Sequence, residues 1–341
     1  MWGYLPLRAT PRSMSVNVLH HGMCFDGAAS SALFTAFFRG HAGATEFRYI
    51  PKDHRPGDPF EGPDFDADEV VGLDFRYTQN PRLTWFFDHH RSAFQLDGDR
   101  EHFEADPSGH KFHDPNARSC AGYIARIVRD RFACDLSAHA ELIRWAELID
   151  SAAFPSPEMP VRLAEPALQL MTFVESNDDR SLVEPFIRDL LTLPMEVHAQ
   201  ADYVRALLGP RLAAHHRDIA VIHERARISD RGVLWFALLD RPGRAYNKFI
   251  PYFHHPGVRY VVGLTRAPSG HLKITAGFNP WLPKGEREHN LALLLEPFGG
   301  GGHPFVAGCS FAACDEESAL RAQQAIVARL GGAPSEPCLR G

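Results

Sequence analysis

The sequence predicts an α/β protein: an N-terminal domain on a parallel sheet, a helical connector, and a smaller C-terminal α/β domain with a mixed sheet. Three patterns carry that reading. Short apolar runs alternate with a small-residue helical stretch over residues 16–90. Amphipathic helical stretches fill most of residues 117–215. From residue 216 short apolar runs follow one another closely, before a terminal helix. The domain bounds are placed accordingly at 15–155, 156–215 and 216–332.

In order along the chain, VNVLHH is a short apolar strand ending in histidines, and GAASSALFTAFFRG is the helix after it. FRYIP, EVVGLDF and LTWFFDHH are three further strands, with Trp85, Phe86 and Phe87 as core residues. Strands alternating with helices pair in parallel, and such sheets bind ligands beyond the carboxyl ends of their strands. His20, Asp74 and Asp88 each stand at such an end, so the topology would bring them to one cleft. ARSCAGYIARIVRDRF and SAHAELIRWAELIDSAAF are amphipathic helices, the second delivering Asp150. MEVHAQADYVRALLGPRLAAHH reads as a long connecting helix. DIAVIHERA, GVLWFALLD, KFIPYFHH, RYVVGLTRA and HLKITAGFN read as short strands, and EESALRAQQAIVARL as the terminal helix.

Composition bounds the function. The chain has 341 residues, 45% hydrophobic and 23% charged, enough for two ordinary globular domains. A net charge of -6 argues against a broad nucleic-acid surface, but not against a small anion beside a metal. Six cysteines without a CxxC pair suggest reduced thiols in the cytoplasm. No apolar run reaches the ~20 residues of a membrane span. The first residues lack a signal-peptide core, so 1–13 read as a leader or a start-site artefact, and GGAPSEPCLRG reads as a disordered tail.

Two segments carry chemistry. FFDHHRS puts Asp88, His89 and His90 at the end of an apolar run, a place to hold a metal ion. EPFGGGGHPFVAG ends a glycine run in His303 and Pro304, where backbone N–H groups approach an anion closely. Five residues fit a divalent site: His20, Asp26, Asp74, His89 and Asp150. Carboxylate and imidazole ligands suit manganese, iron or zinc better than calcium. Asp74 is the best bridge between two cations ~3.5–4 Å apart, which together activate a hydroxide for in-line attack on phosphorus. Each residue alone is more often a cap, turn acid or surface group; their placement at strand ends favours the site.

HHGMCFDGAAS, GLDF, FFDHHRS and ELIDSAAF resemble, in order, the four motifs of the DHH phosphoesterases. NKF, FNPW and GGGGHPFVAG resemble the DHH-associated C-terminal domain. The resemblance covers residues 16–312. It implies that Asp26, Asp74, His89 and Asp150 hold one metal and that His20 and Asp74 contribute to another. His90 would face the scissile phosphate, neutralising charge or protonating the leaving oxygen. Gly301, Gly302 and His303 would bind a phosphate or nucleotide group, and Lys248 would pair with a terminal phosphate. Manganese is the expected cation, with zinc, iron or magnesium as alternatives. One position departs: the usual His-x-x-x-Asp-x-Asp is here His20-x-x-x-Cys24-x-Asp26. Either the first metal binds weakly, or Cys24 ligates as a thiolate, or one metal alone is held. Part of the family carries this variant, so an active enzyme is expected.

Other residues have competing readings. Arg118 and Ser119 open a helix, and either contact phosphate or cap it. Arg91 reaches a phosphate or a surface salt bridge. Trp281 stacks a base or packs in the core. His254 and His255 read as a strand end, and His102, His110 and His113 as part of a solvated loop.

The expectation is a cytoplasmic hydrolase cleaving a small nucleotide or short oligonucleotide phosphodiester, in a cleft between two closing domains. An oligoribonuclease acting on very short RNA is one form of it. The alternatives are a catalytically weakened nucleotide-binding module, a single-strand exonuclease on longer nucleic acid, and an RNA-contacting module. No membrane partner is expected, and a homodimer is left open.

Overall fold

The computed structural model describes residues 13–43, 45–53, 58–241, 246–267 and 269–331. Residues 1–12 of the expected leader and 332–341 of the expected tail lie outside the described residues. The chain divides into two compact units. One comprises the chain up to Ala153 together with Glu165–Leu208; the other comprises Phe154–Ala164 and the chain from Gly209 onward. The segment expected as a connector is helical and is shared between them.

The first unit is built on five parallel strands: β1 (Met14–His21), β2 (Thr45–Lys52), β3 (Glu69–Leu73), β4 (Trp85–Asp88) and β5 (Lys111–His113). Their order is β2-β1-β3-β4-β5, so β1 and β3 are central and their carboxyl ends adjoin. Helix α1 (Phe25–Ala42) follows β1 and is buried over Phe25–Thr35, which explains its weak amphipathic pattern. Its approach is set by Gly27, where a Cβ would lie 2.3 Å from the His21 carbonyl oxygen. The far part of α1 adds Phe34, Phe37 and Phe38, which cluster around Trp85 with ring centroids 5.7–5.9 Å away. Rings buried this completely contribute about 1.5–3 kcal/mol each.

Helices α2 (Asp99–Glu104), α3 (Cys120–Phe132) and α4 (Ala140–Asp150) complete the N-terminal part of this unit. The stretch expected as a solvated loop instead forms α2 and β5. His110 stacks on Trp85 at 3.8 Å, and Phe112 stacks on Phe87 at 5.0 Å. Three residues are too few to show strand periodicity, so the packing partners decide.

After α5 (Glu158–Arg162), which belongs to the second unit, α6 (Pro166–Val174), α7 (Val183–Thr192), α8 (Met195–His198) and the start of α9 (Asp202–Arg225) return to the first.

The second unit holds β6 (Arg227–Ile228), β7 (Val233–Leu238), α10 (Ile250–His254), β8 (Tyr260–Arg266), β9 (Leu272–Phe278), α11 (Leu291–Leu295), β10 (Gly301–His303), β11 (Val306–Phe311) and α12 (Glu316–Arg329). Its six-stranded sheet has the order β10-β11-β9-β8-β7-β6, with β7 and β8 parallel and the other pairs antiparallel. Val262, Leu264, Ile274 and Ile326 form its fully buried centre.

Two expected strands are corrected here. DIAVIHERA is the end of α9, with Ile222 as its buried face, and KFIPYFHH contains α10. Pro251 starts that helix well but cannot donate to a strand ladder. His254 and His255 therefore end a helix, not a strand.

Candidate metal centre

The carboxyl ends of β1, β3 and β4 converge in the first unit. β1 ends in His21 and β4 in Asp88, and Asp74 directly follows the last residue of β3. Gly22 makes the turn after β1, its N–H donating to the Lys52 carbonyl at 2.8 Å. Asp74 makes another with a φ of 55°, a left-handed conformation that Asp tolerates better than most residues. Its N–H donates to the Phe87 carbonyl at 3.0 Å, and its carboxylate is buried.

His89 follows β4. Its Nδ1–H donates to the Ala117 carbonyl at 3.1 Å, which directs Nε2 at three carboxylates. Those are Asp150 Oδ2 at 3.3 Å, Asp74 Oδ1 at 3.5 Å and Asp26 Oδ2 at 3.7 Å. Asp26 sits in the first turn of α1, where it accepts the Cys120 and Ala121 N–H groups at 2.6 and 3.0 Å. It thus caps the start of α3 as well. Asp150 is the last residue of α4.

Charge is concentrated here. Burial, with Asp74 and Asp150 nearby, pushes the Asp26 carboxyl well up, and burial raises Asp150 too. Burial also acts to raise Asp74, but His21, His89 and His90 outweigh it and hold this carboxyl well below its usual range. For His89, burial favours the neutral ring, yet the three carboxylates overcome it and push the pKa to about 10. The same three carboxylates suit a divalent cation, which would take the place of the proton on Nε2.

A second group lies beside the first. His21, Cys24 and Asp74 offer ligand atoms within 4.8 Å of one another, as do Asp74, His89 and His90. His21 Nδ1 is 3.6 Å from Asp74 Oδ2. His20 is turned differently: its Nδ1 meets the His21 carbonyl at 3.0 Å, and burial lowers its pKa to about 4. Sequence reasoning singled out His20; the structure adds His21 beside Asp74, while His20 keeps a buried Nε2 without a hydrogen bond. Burial, then Asp74, Asp26 and Asp150, push the Cys24 thiol well up.

His90 has a partner of its own, although its Nδ1 is also 3.7 Å from Asp74 Oδ1. Its Nδ1–H donates to Asp88 Oδ1 at 2.7 Å, leaving Nε2 as the outer nitrogen. Its carbonyl accepts His113 Nε2–H at 2.8 Å. Asp88 and His113 are thus supporting residues that spacing alone did not assign.

The residues fit a divalent cation. The donors are carboxylate, imidazole and one thiol, and both oxygens of Asp74 and Nε2 of His20 and His89 are buried without a well-formed hydrogen bond.

Arg91 follows His90 directly, and Arg118 and Ser119 lie between Ala117, which orients His89, and Cys120, which donates to Asp26. Ser119 caps α3, its Oγ accepting the Gly122 N–H at 2.9 Å. Arg91 and Arg118 are exposed. In the second unit, Gly301–His303 form the exposed edge strand β10. Gly302 has φ 141°, and a Cβ there would meet the Val306 carbonyl oxygen at 2.7 Å, so its glycine is structural. Lys248 lies over the Phe249 ring at 5.2 Å. Trp281 packs edge-on against Phe249 and donates Nε1–H to the Phe154 carbonyl at 2.8 Å.

No protein-family description and no curated protein matches the chain. Solved structures do. A pGpG-specific phosphodiesterase from Vibrio cholerae superposes with a TM-score of 0.68 at 16% identity, over 94% of this chain and 99% of that one. An exopolyphosphatase-related protein from Bacteroides fragilis gives 0.52 at 15% identity, over 94% of each chain. RecJ from Thermus thermophilus, in complex with Mn2+, gives 0.56 at 13% identity over 94% of this chain and 52% of its own. The chain has the fold these proteins share. No helix among the described residues is long and apolar enough to cross a membrane.

Proposed function

We propose that the chain is a DHH-family phosphoesterase that hydrolyses a nucleotide or short oligonucleotide phosphodiester with a divalent cation, manganese first among the candidates. The observation that carries this is the approach of Asp26, Asp74 and Asp150 to one imidazole nitrogen, His89 Nε2. Carboxylates gathered out of water around one imidazole need a cation to neutralise them. The fold shared with a pGpG-specific phosphodiesterase and with Mn2+-bound RecJ supports the same class.

Asp26, Asp74, His89 and Asp150 hold one cation in this reading. Asp74, with Cys24 and an imidazole of His20 or His21, holds the other. Bound there, a divalent cation supplies a water of lowered pKa and charge stabilisation for attack on phosphorus. His90, kept in one tautomer by Asp88, faces the phosphate with Nε2 and neutralises charge or protonates the leaving oxygen. Arg91, Arg118 and, in the second unit, Gly301, Gly302, His303 and Lys248 are proposed substrate contacts. Ser119 acts through the fold, as a cap.

The test is hydrolysis of a 5'-phosphorylated RNA dinucleotide with added manganese, beside the His89→Ala variant. Turnover abolished by the substitution is expected. Dinucleotides left untouched while long single-stranded DNA is degraded at catalytic enzyme levels would move the substrate class. Tight nucleotide binding without turnover, restored by Cys24→Asp, would establish the binding-module reading instead.

A further inference from the structure

The first unit carries a cavity of about 230 Å³ lined by His20 and by Cys24, the latter also in the group with His21 and Asp74. Its far wall is apolar: Phe173 and Val174 at the end of α6, and Val183, Phe186 and Ile187 on α7. Phe173 and Phe186, both part of that wall, stack on each other at 5.1 Å. The turn Asn177–Arg180 also lines it. That turn is held by its own bonds, Asp179 N–H to Asn177 Oδ1 at 3.0 Å and Ser181 N–H to Asp179 Oδ1 at 2.9 Å.

We propose that this cavity seats one nucleobase of the substrate, the one joined through its sugar to the phosphate at the metal centre. The inference rests on the phosphoesterase reading and narrows it. Size is the first argument. A pocket for a whole drug-sized ligand spans ~300–1,000 Å³. This cavity is smaller, and so takes one ring system of a larger molecule.

Charge is the second argument. Asp53, Asp178 and Asp179 line the cavity, with Arg180 the one Lys or Arg among its lining residues. Such a lining repels further phosphates, and so disfavours an inorganic polyphosphate chain. A neutral planar ring is compatible with it, and gains by leaving water for the apolar wall. Position is the third. Because Cys24 lines the cavity and also stands in the group with His21 and Asp74, a ring in the cavity is within one nucleotide of the reacting phosphate.

The test compares a 5'-phosphorylated RNA dinucleotide with the same molecule made abasic at either position, each with manganese. For the wild-type protein, kcat/KM should fall roughly tenfold to a hundredfold when one particular base is removed, the value of one stacked base. Val174→Trp fills the cavity from α6 and Val183→Trp fills it from α7. In whichever variant keeps the wild-type circular-dichroism spectrum, base-bearing and abasic dinucleotides should react alike. Equal rates on both substrates in the wild type would overturn the inference, as would undiminished discrimination in a folded variant.

If the wild-type protein hydrolyses neither dinucleotide, the phosphoesterase reading fails on its own and the cavity is read by binding. Adenosine and guanosine 5'-monophosphates are then titrated against ribose 5-phosphate. Tighter binding of at least one nucleotide, lost in the filled variants, upholds the nucleobase site. Equal binding of the sugar phosphate overturns it.

Discussion

His90 Nδ1 lies 2.7 Å from Asp88 Oδ1, and Asp88 is the last residue of β4 with no exposed surface. The acid that opens the Asp-His-His triplet therefore serves the third residue, not the second. His89 is oriented instead by a backbone carbonyl, that of Ala117. Two neighbouring imidazoles thus receive different second partners, one charged and one neutral, which suits them to different tasks.

Asp88→Asn tests that division. The amide oxygen still accepts from Nδ1, but the negative charge that favours a protonated His90 is gone. Turnover of the dinucleotide should fall about 10–100-fold, the usual cost of an outer-shell carboxylate. Metal content should be unchanged. Full activity in a folded Asp88→Asn protein would show that His90 carries no charge-dependent role.

Cys24 tests the second cation. Cobalt titration should give a near-ultraviolet thiolate-to-metal band in the wild-type protein and none in Cys24→Ser, with the number of ions bound falling from two to one. Cys24→Asp should restore the second ion and shift preference from zinc toward manganese, since a carboxylate is the harder ligand. A band-free wild type binding one ion would assign Cys24 to the fold alone.

Gly27 is required by packing, not by chemistry. A methyl group there meets the His21 carbonyl at 2.3 Å, and the nearest atoms are backbone. Gly27→Ala should cost about 1–3 kcal/mol, the range for overpacking. A lowered urea midpoint at unchanged slope is the measurement.

Acid stability should depend on His198, which is away from the metal centre. Its Nε2–H donates to Tyr203 OH at 2.7 Å, and that hydroxyl donates to Asp189 Oδ2 at 3.0 Å. Nδ1 is buried without a partner, so a second proton has no acceptor. Burial lowers the pKa from 6.5 to about 4, against a smaller opposing effect of Asp189. The unfolded chain then takes up a proton that the folded one refuses. Stability is full above pH 6.5 and is lost as pH falls toward 4, by up to about 3 kcal/mol. The urea midpoint of the wild type should drop over that window, and that of His198→Phe should drop less steeply.

Much of the fold is legible in the residues. The four apolar runs through LTWFFDHH are strands and pair in parallel, although α1 is the one α-helix between them. The reading fails where periodicity is short or ambiguous. Lys111–His113 is too brief a strand to recognise, and Phe249–Phe253 is a short continuous apolar run that reads like a strand although Pro251 commits it to a helix. AVIH lost its helical signal because one buried residue, Ile222, gives no period.

What the sequence determined by itself was the kind of chemistry: acids and imidazoles at strand ends, ahead of a glycine run. Residue type and strand position suffice for that, because a parallel sheet gathers its carboxyl ends along one edge. Tertiary structure decided the partners. His20 and His21 have the same composition and almost the same position, and alternation along the strand turns them to different surroundings. Only the neighbouring strand, which places Asp74 3.6 Å from His21 Nδ1, distinguishes one from the other. The cavity beside them is likewise invisible in the chain, because its walls come from β1 and from helices more than 140 residues later, brought together by packing alone.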